Sequence, residues 1–434
     1  SAGASDMSAW VLMGLPASIY LSGMGQTWIA IGLGIGYAVS WIFMAPRLRR
    51  FSIAAKDSIT IPQYLTNRFL SKNKSLQILS AIIFLVAYTI YAASSIKACG
   101  TLFNTVMDID PTVAMYIAAF IIVAYTFLGG FSAVCWTDFF QGMIMLAALL
   151  IAPLFALALA KAGDGAATGA TLPDGFFNFF TTPQDIISGL GWGLGYFGMP
   201  HIIIRFMSLK SEKELRKSSV IGISWTTIIL IMSALTAIAG RLYLGEIEDS
   251  STVFITMVRR IFPALVSGLL LSAILSAAMS TADSQLLAAS SAFASDVYKP
   301  VIRKKASDSE MLWAGRIVVI VIAIVALFIA SDPNSGSIMG LVENAWGVFG
   351  ASFGPVILLS LFWKRLTFGG TVAGIAVGAA VDILWLVFLS STDIYEIVPG
   401  FAAGLLAAVV VSLLSKGPGK DVEDLFDRAV DLKS

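Results

Sequence analysis

The chain has almost no histidine and almost no cysteine: one His and two Cys stand among 434 residues. Zinc and copper sites draw mainly on imidazole and thiolate ligands, so this scarcity excludes a site for either metal. Cys99 and Cys135 fall near or within apolar stretches and predict no disulfide framework. His201 has no nucleophile-elbow motif beside it, and Asp6 and Asp138 lack the signature of an aspartyl-protease dyad, so we expect no enzyme.

Charge is also scarce. Asp, Glu, Lys and Arg make up 13% of the chain, against about 25% in soluble domains, whereas hydrophobic residues make up 57%. This composition predicts an all-α integral membrane protein, because about twelve apolar stretches of roughly 20 residues are each long enough to cross a bilayer. They begin at Met7, Gln26, Leu76, Thr112, Ala133, Asp185, Ser218, Phe262, Met311, Ser337, Thr367 and Ile394.

The charged loops alternate in sign along the chain. Basic clusters follow the even-numbered spans, at residues 47–74, 210–217, 299–305, 364–365 and 416–420, while the intervening loops are acidic. By the positive-inside rule, we expect the start of the first span and the C-terminal tail to lie in the cytoplasm. The spans are expected to lie in the inner or plasma membrane of the cell. Since topology accounts for these clusters, no nucleic-acid partner is expected.

The span count allows a structural repeat. Residues 1–434 are predicted to form one transmembrane domain, in which 1–160 and 185–363 are two sets of five spans. Because five is odd, the second set enters from the opposite face and forms an inverted repeat of the first. Residues 367–415 are expected to add two helices, and 416–434 a cytoplasmic tail.

Each set of five begins with an interrupted span. The first span follows the small-residue stretch "SAGAS", and the sixth contains "SGLGWGLGYFGMPH", with Pro200 removing a backbone donor. Interruptions at corresponding positions of two halves point to a transporter's binding site. Helix packing through small residues is the alternative.

Ionisable residues within the spans are costly and therefore candidates for function. They are Asp6, Asp138, Asp283, Glu343, Asp382 and His201. We expect Glu343 and Asp382 to lie near helix ends, where water solvates them, and to be structural.

The eighth span carries a polar patch. Ala277, Ser280, Thr281 and Ser284 recur at intervals of three and four and so share one helical face. Their hydroxyl and carbonyl oxygens suit a hard cation such as sodium, unless the hydroxyls merely bond back to the preceding turn. Asp138 is expected at a similar depth, where it binds a second ion, relays a proton or organises packing.

Six stretches carry a resemblance to a known family over nearly the whole chain: "SAGASDMSAWVLMGLP", "LPASIYLSGMGQTWIAIGLGIGYAVSW", "TFLGGFSAVCWTDFFQGMIM", "GWGLGYFGMPHIIIRFM", "LSAILSAAMSTADSQLL" and "AWGVFGASFGPVILLSLFW". Together they resemble the sodium/solute symporter family, and the sodium/proline symporters within it. The resemblance implies a leucine-transporter-like five-plus-five inverted repeat with extra helices. It also implies that one N-terminal helix of the family's thirteen is missing here and that the loop at 245–251 is short.

The resemblance also implies ligands. A shared sodium site would use Ala4, Met7, Ala277, Ser280 and Thr281. Asp138, Asp283 and Ser284 are candidates for a second ion, and Asp6 for coupling. Ser8, Tyr91, Trp192, Tyr196 and Pro200 correspond to positions implicated in binding or coupling proline.

Proline fits such a site. It is a small zwitterion whose carboxylate suits the N–H groups of a broken helix and whose ring can lie against Trp192 or Tyr196. No obvious intramembrane arginine is present, which argues against relatives that carry sialic acid. Two departures stand out: Asp283 replaces an uncharged residue of other relatives, and Ala9 replaces a Gly of some proline symporters.

The sequence therefore predicts sodium-coupled symport of L-proline into the cell by alternating access, with Na⁺ as coupling ion. The alternative is the same machinery carrying another small solute, such as pantothenate or a different amino acid. A channel or a non-transporting sensor also fits the ion-ligating helices.

Overall fold

A computed structural model describes residues 1–128, 131–163, 172–209 and 211–432. Within these residues every regular element is helical. The helices are α1 Ala2–Asp6, α2 Gly14–Ser22, α3 Thr27–Val39, α4 Ala45–Ala54, α5 Ile61–Arg68, α6 Ser75–Met107, α7 Pro111–Leu128, α8 Phe131–Ala162, α9 Pro183–Gly191, α10 Pro200–Met207, α11 Glu212–Leu244, α12 Val253–Ile261, α13 Ala264–Ala292, α14 Asp308–Ser331, α15 Ile338–Phe362, α16 Phe368–Phe388, α17 Ile397–Leu414 and α18 Lys420–Asp431.

The apolar helices agree with the predicted spans. Among the described residues, nine helices are long and apolar enough to cross a membrane, and Ala9–Ser22 and Pro111–Phe127 are shorter apolar helices. The remaining predicted span, beginning at Asp185, is divided between α9 and α10. Each predicted span therefore corresponds to a helix or to a broken helix of the structure.

The first span is broken, as its sequence predicts. After α1, Met7 and Ser8 leave the helical conformation, and a short 3₁₀ helix at Ala9–Val11 leads into α2. The hydroxyl of Ser8 accepts a bond of 3.4 Å from the amide of Trp10 and so caps the 3₁₀ helix. The polar side chain stabilises the restart that small residues allow.

The sixth span is broken in the same way. A 3₁₀ segment at Trp192–Phe197 separates α9 from α10, and Met199 is extended before Pro200 opens α10. Gly195 is required for close packing here, because a Cβ at this position would overlap the indole of Trp346. The glycines therefore allow both the irregular backbone and its contact with α15.

The two breaks lie at the centre of the helix bundle. α1 packs against α8, α10, α11 and α13, while α6 lies between α13 and α15. Helices α16 and α17 pack on each other and on α15. This arrangement places the irregular backbone of α1 beside the middle of α13, where the polar patch lies.

The C-terminal segment is not an extended tail. Helix α18 packs on α4 and α5, and the fully buried Arg68 donates to the carbonyl of Val422 at 3.2 Å. Lys364 donates to Asp427 at 2.6 Å, and this bond raises the pKa of Lys364. The prediction of a tail at 416–434 is thus refined to a docked helix at Lys420–Asp431.

Candidate functional site

The break after α1 releases backbone carbonyls from helical bonding. In a continuous helix, Ser8 N–H would bond to Ala4 and Val11 N–H to Met7. Here Ser8 N–H bonds to Asp6 O at 2.9 Å, and Val11 N–H bonds to Ser8 O at 3.1 Å. The carbonyls of Ala4 and Met7 are consequently available to another ligand.

One of these carbonyls faces the polar patch of α13. The Ser280 hydroxyl lies 2.9 Å from Ala4 O and 3.2 Å from Ala277 O, so three of the five predicted sodium ligands meet. The second contact is the bond to the preceding turn that was considered as the alternative. The Ser280 hydroxyl therefore contacts both the backbone of α1, as predicted for a sodium site, and the preceding turn of its own helix.

Thr281 supplies a further oxygen at this place. Its side chain is fully buried, and Oγ1 has no hydrogen-bond partner among the described residues. Buried hydroxyls are normally satisfied, so an unpaired one calls for an explanation. With neutral oxygens from α1 and α13 close by, the donor set suits a small hard cation better than a transition metal.

Asp6 does not turn toward these oxygens. Its carboxylate accepts a hydrogen bond of 2.5 Å from the hydroxyl of Tyr196, and its backbone carbonyl accepts one of 3.5 Å from Tyr91. All three residues are buried. The structure thus joins the two interrupted spans and α6 through Asp6, and brings together three of the residues predicted for substrate and coupling.

Trp192 lies in a cluster of aromatic rings at the break of the sixth span. Its ring centroid is 6.0 Å from Trp10, 6.5 Å from Trp346 and 5.1 Å from Tyr395. Tyr196 meets Trp346 edge-on at 5.1 Å. The cluster offers flat apolar surface beside the two breaks, which suits the ring of a small zwitterion with an apolar ring.

Pro200 stands apart from this cluster. It opens α10 and lines a cavity of about 400 Å³ together with Thr60, Phe84 and Leu287. None of the other residues predicted for substrate lines this cavity. The structure therefore gives Pro200 a place in helix geometry, and does not bring it into contact with the aromatic cluster.

An arginine that the sequence analysis overlooked lies beside Asp138. Arg205 is 6% exposed, and its Nη2 bonds to Asp138 Oδ2 at 2.9 Å and to Ser284 Oγ at 2.8 Å. Ser1 Oγ also donates to Asp138 Oδ2 at 2.7 Å. The prediction that no obvious intramembrane arginine is present is therefore wrong, and it no longer argues against relatives that carry sialic acid.

The motif "PHIIIRFM" contains the signal that was missed. Arg205 follows His201 by one helical turn in an apolar run and donates to the His201 carbonyl. An arginine there must face the protein interior, because lipid offers it no partner. Tyr37, which meets Tyr196 edge-on at 5.1 Å, was missed as well, since nothing in its local sequence distinguishes it.

Asp283 is the third residue predicted for a second ion. It is fully buried, and neither carboxylate oxygen has a hydrogen-bond partner among the described residues. Asp138 Oδ1 is likewise unpartnered there. Two of the predicted second-ion ligands, Asp138 and Ser284, thus contact one guanidinium, while Asp283 does not bond to it in any contact described.

Two carboxylates were expected near helix ends. Asp382 is instead fully buried within α16 and its oxygens have no hydrogen-bond partner in the described part of the chain, so the expectation that water solvates it is wrong. Glu343 is partly buried and lines a cavity with Glu396. Both belong to a cluster described below.

Comparison with known proteins identifies the family to which this chain belongs. The sequence profile of the sodium:solute symporter family matches residues 1–378. The chain belongs to the sodium:solute symporter family. Its similarity to individual members extends over its full length, which confirms the resemblance read from the six stretches.

Two bacterial relatives are similar over nearly the whole of both chains. The high-affinity proline transporter PutP of Bacillus subtilis (strain 168) is 44% identical over 441 residues, covering 100% of this chain and 93% of the relative. A sodium/proline symporter of Haemophilus influenzae is 44% identical over 450 residues, covering 99% and 89%.

Solved structures share the fold at low sequence identity. The substrate-bound outward-open state of a Na⁺-coupled sialic acid symporter superposes with a TM-score of 0.76 and 20% identity, covering 96% of this chain and 89% of that one. MhsT in complex with L-phenylalanine superposes with a TM-score of 0.60 and 13% identity, covering 95% and 96%. The leucine-transporter-like five-plus-five class is confirmed.

These findings settle the broad function. A member of this family is a membrane transporter and not an enzyme, and sodium is its coupling ion. The apolar helices make the chain an integral protein of the cell membrane. Sodium is cargo in such a protein rather than a resident metal.

Proposed function

We propose that this protein is a secondary active transporter that couples inward sodium movement to the uptake of L-proline by alternating access. The observation that carries the proposal is the 44% identity to a high-affinity proline transporter over the entire chain. The geometry of the two broken spans supports it, because Asp6 lies between the oxygens that we propose for sodium and the aromatic cluster.

Sodium is proposed to bind the carbonyls of Ala4, Met7 and Ala277 and the hydroxyls of Ser280 and Thr281. The contact between Ser280 and Ala4 supports this set, since it brings α1 and α13 together at the height of the break. A cation held by both helices would fix α1 in place. Its loss would free α1 to move relative to α13 during alternating access.

Proline is proposed to bind near Ser8, Tyr91, Trp192 and Tyr196, with its ring against the cluster and its carboxylate toward the irregular backbone of the breaks. Pro200 contributes by setting where α10 begins. Asp6 is proposed to link the sodium and proline sites, because it is next to Met7 in the chain and its carboxylate accepts a hydrogen bond from the hydroxyl of Tyr196. Ion and substrate that favour the same conformation must raise each other's affinity.

For the second ion, the Arg205 contacts support a transport cycle with one sodium. The Arg205 guanidinium, which is positively charged, already donates hydrogen bonds to Asp138 and Ser284. Asp138, Asp283 and Ser284 would bind a second sodium only if Arg205 moved away. The Arg205–Asp138 pair lines a cavity of about 350 Å³ that also reaches Ala4, and we propose this cavity as the route of sodium release.

The repeats are proposed to span residues 1–160 and 185–363, followed by the two helices at 367–415. The pairing of broken spans, α1–α2 with α9–α10, supports this division. The C-terminus is proposed to face the cytoplasm, as the basic loops indicate. On this orientation, the cavity beside Arg205 opens inward.

Uptake of labelled proline into proteoliposomes tests the proposal. An inward sodium gradient should drive accumulation, and a potassium gradient of the same size should not. Uptake that is indifferent to sodium would contradict the coupling. Sodium-dependent uptake of another small solute without preference for proline would retain the mechanism and overturn the substrate.

A further inference from the structure

A cluster of carboxyl groups lies beside the aromatic cluster, away from the proposed sodium site. A cavity of about 580 Å³ is lined by Asp185, Glu343, Asp393 and Glu396, and no lysine or arginine is among the described residues that line it. It adjoins the broken sixth span, because Tyr395 lines it and packs on Trp192.

Asp382 lies behind the wall of this cavity, close to Glu396. A Cβ atom placed on Gly347 would be 2.9 Å from Asp382 Oδ1 and 3.4 Å from Glu396 Cγ, so the two side chains converge on the space that this glycine leaves. Asp382 is fully buried and Glu396 is 6% exposed. Both oxygens of Asp382 and Oε1 of Glu396 have no hydrogen-bond partner among the described residues.

Among the described residues no cationic side chain acts on this pair; Lys97 of α6 donates instead to Ser335 Oγ and to Gly336 O. Helix α15 contributes Glu343, and α17 contains no titratable residue. The remaining titratable neighbours are hydroxyls: Tyr395 and, from α6, Tyr91. The acidic groups Asp185 and Asp393 lie further along the cavity wall. A buried carboxylate pair without a cation is therefore the feature that needs an explanation.

Two adjacent carboxylates in a buried site cannot both remain ionised without a compensating charge, since each opposes the charge of the other and both have lost water. We propose that Asp382 and Glu396 together bind one proton, and that this proton-binding site holds α16 and the start of α17 against the broken sixth span. A shared proton supplies the missing donor between the unpartnered oxygens, in the manner of paired acidic groups elsewhere.

The pair is placed to influence the broken span. The segment before α17 is held by Ser188 of α9, which donates to Asp393 O at 3.1 Å and accepts from Tyr395 N–H at 2.9 Å. Tyr395 in turn donates to Glu343 O at 2.8 Å. Loss of the proton would put two negative charges next to this connection and weaken the contact between Tyr395 and Trp192.

The pH dependence has a definite sign. Burial raises the pKa of Glu396, and the charges nearby are all negative. The stabilisation that the bound proton provides is therefore fully present below the ordinary pKa of the carboxyl group, and it is lost as the pH rises through the higher pKa of the folded protein.

Infrared spectroscopy of the reconstituted, full-length protein tests the site without any transport measurement. The wild type at neutral pH should show the carbonyl stretch of a protonated carboxyl group, shifted in deuterium oxide. The double variant Asp382→Asn/Glu396→Gln should lack this band, which should therefore appear in the difference spectrum between the wild type and the variant. Asp393→Asn is the matched control, because it removes an exposed carboxylate of the same cavity at a left-handed position that Asn tolerates.

Three outcomes would overturn the proposal. The band could persist in the double variant, which would place the proton elsewhere. It could also disappear from the wild type when choline is replaced by sodium at constant pH, which would make the pair a sodium site. Thermal unfolding guards against a misfolded variant: the wild type should lose stability as the pH rises, and Asp382→Asn should unfold cooperatively with a flatter pH dependence. A pH dependence equal to that of the wild type would contradict the assignment.

Discussion

Replacing Thr281 by valine tests whether the Thr281 hydroxyl is a sodium ligand or a structural group. The hydroxyl is fully buried and bonds to nothing among the described residues, while the methyl of valine occupies nearly the same volume. An unsatisfied buried polar group costs about 1–3 kcal/mol, so its removal should leave the sodium-free protein at least as stable as the wild type. The variant should nevertheless bind sodium less well.

The size of the sodium effect follows from the strength of one contact to a charge. Interactions of a polar group with an ion contribute about 1.5–3 kcal/mol, which corresponds to a rise of roughly 10- to 150-fold in the sodium concentration for half-maximal uptake. The assay is proline uptake into proteoliposomes across a sodium series, alongside thermal unfolding without sodium.

A matched control comes from α11. Thr236→Val removes another fully buried hydroxyl, which bonds only to the Met232 carbonyl at 2.9 Å in the contacts described. It should leave the sodium requirement unchanged. If Thr281→Val lowers the unfolding temperature and keeps the sodium requirement of the wild type, the hydroxyl is structural and the proposed ligand set is refuted.

Three further substitutions probe the contacts around the breaks. Tyr196→Phe removes the hydrogen-bond donor to Asp6, so it should cost about 1–3 kcal/mol of stability and raise the KM for proline. An unchanged KM would show that the bond between Tyr196 and Asp6 has no part in proline binding. Arg205→Ala leaves the charge of Asp138 buried and should cost about 3–5 kcal/mol in thermal or denaturant unfolding, which Asp138→Asn on the same chain should partly restore; equal stability of the single variant and wild type would show that the pair contributes nothing. Gly195→Ala should prevent correct packing against the Trp346 indole, and normal expression of a monodisperse protein would contradict that.

The sequence was sufficient for the helices and for the position of both breaks. Apolar runs of fixed length leave little choice in a bilayer, and the glycines around Trp192 together with Pro200 mark where a helix cannot continue. The polar face of α13 was equally readable, because Ala277, Ser280 and Thr281 follow the helical period.

The side-chain partners were not readable. Arg205 stands in a hydrophobic run of "PHIIIRFM", and only the packing of α10 against α13 shows that it reaches Ser284. Asp382 and Glu396 belong to different helical segments, and their approach depends on the space left by Gly347. Such contacts depend on how distant helices pack, which periodicity within one helix does not encode.

The central claim is that sodium and proline cross the membrane together. Proteoliposomes with equal sodium on both sides, given an inward proline gradient, should accumulate radioactive sodium against its equilibrium distribution. The same vesicles with Ser280→Ala/Thr281→Ala should not. Sodium movement that is independent of the proline gradient would contradict the account.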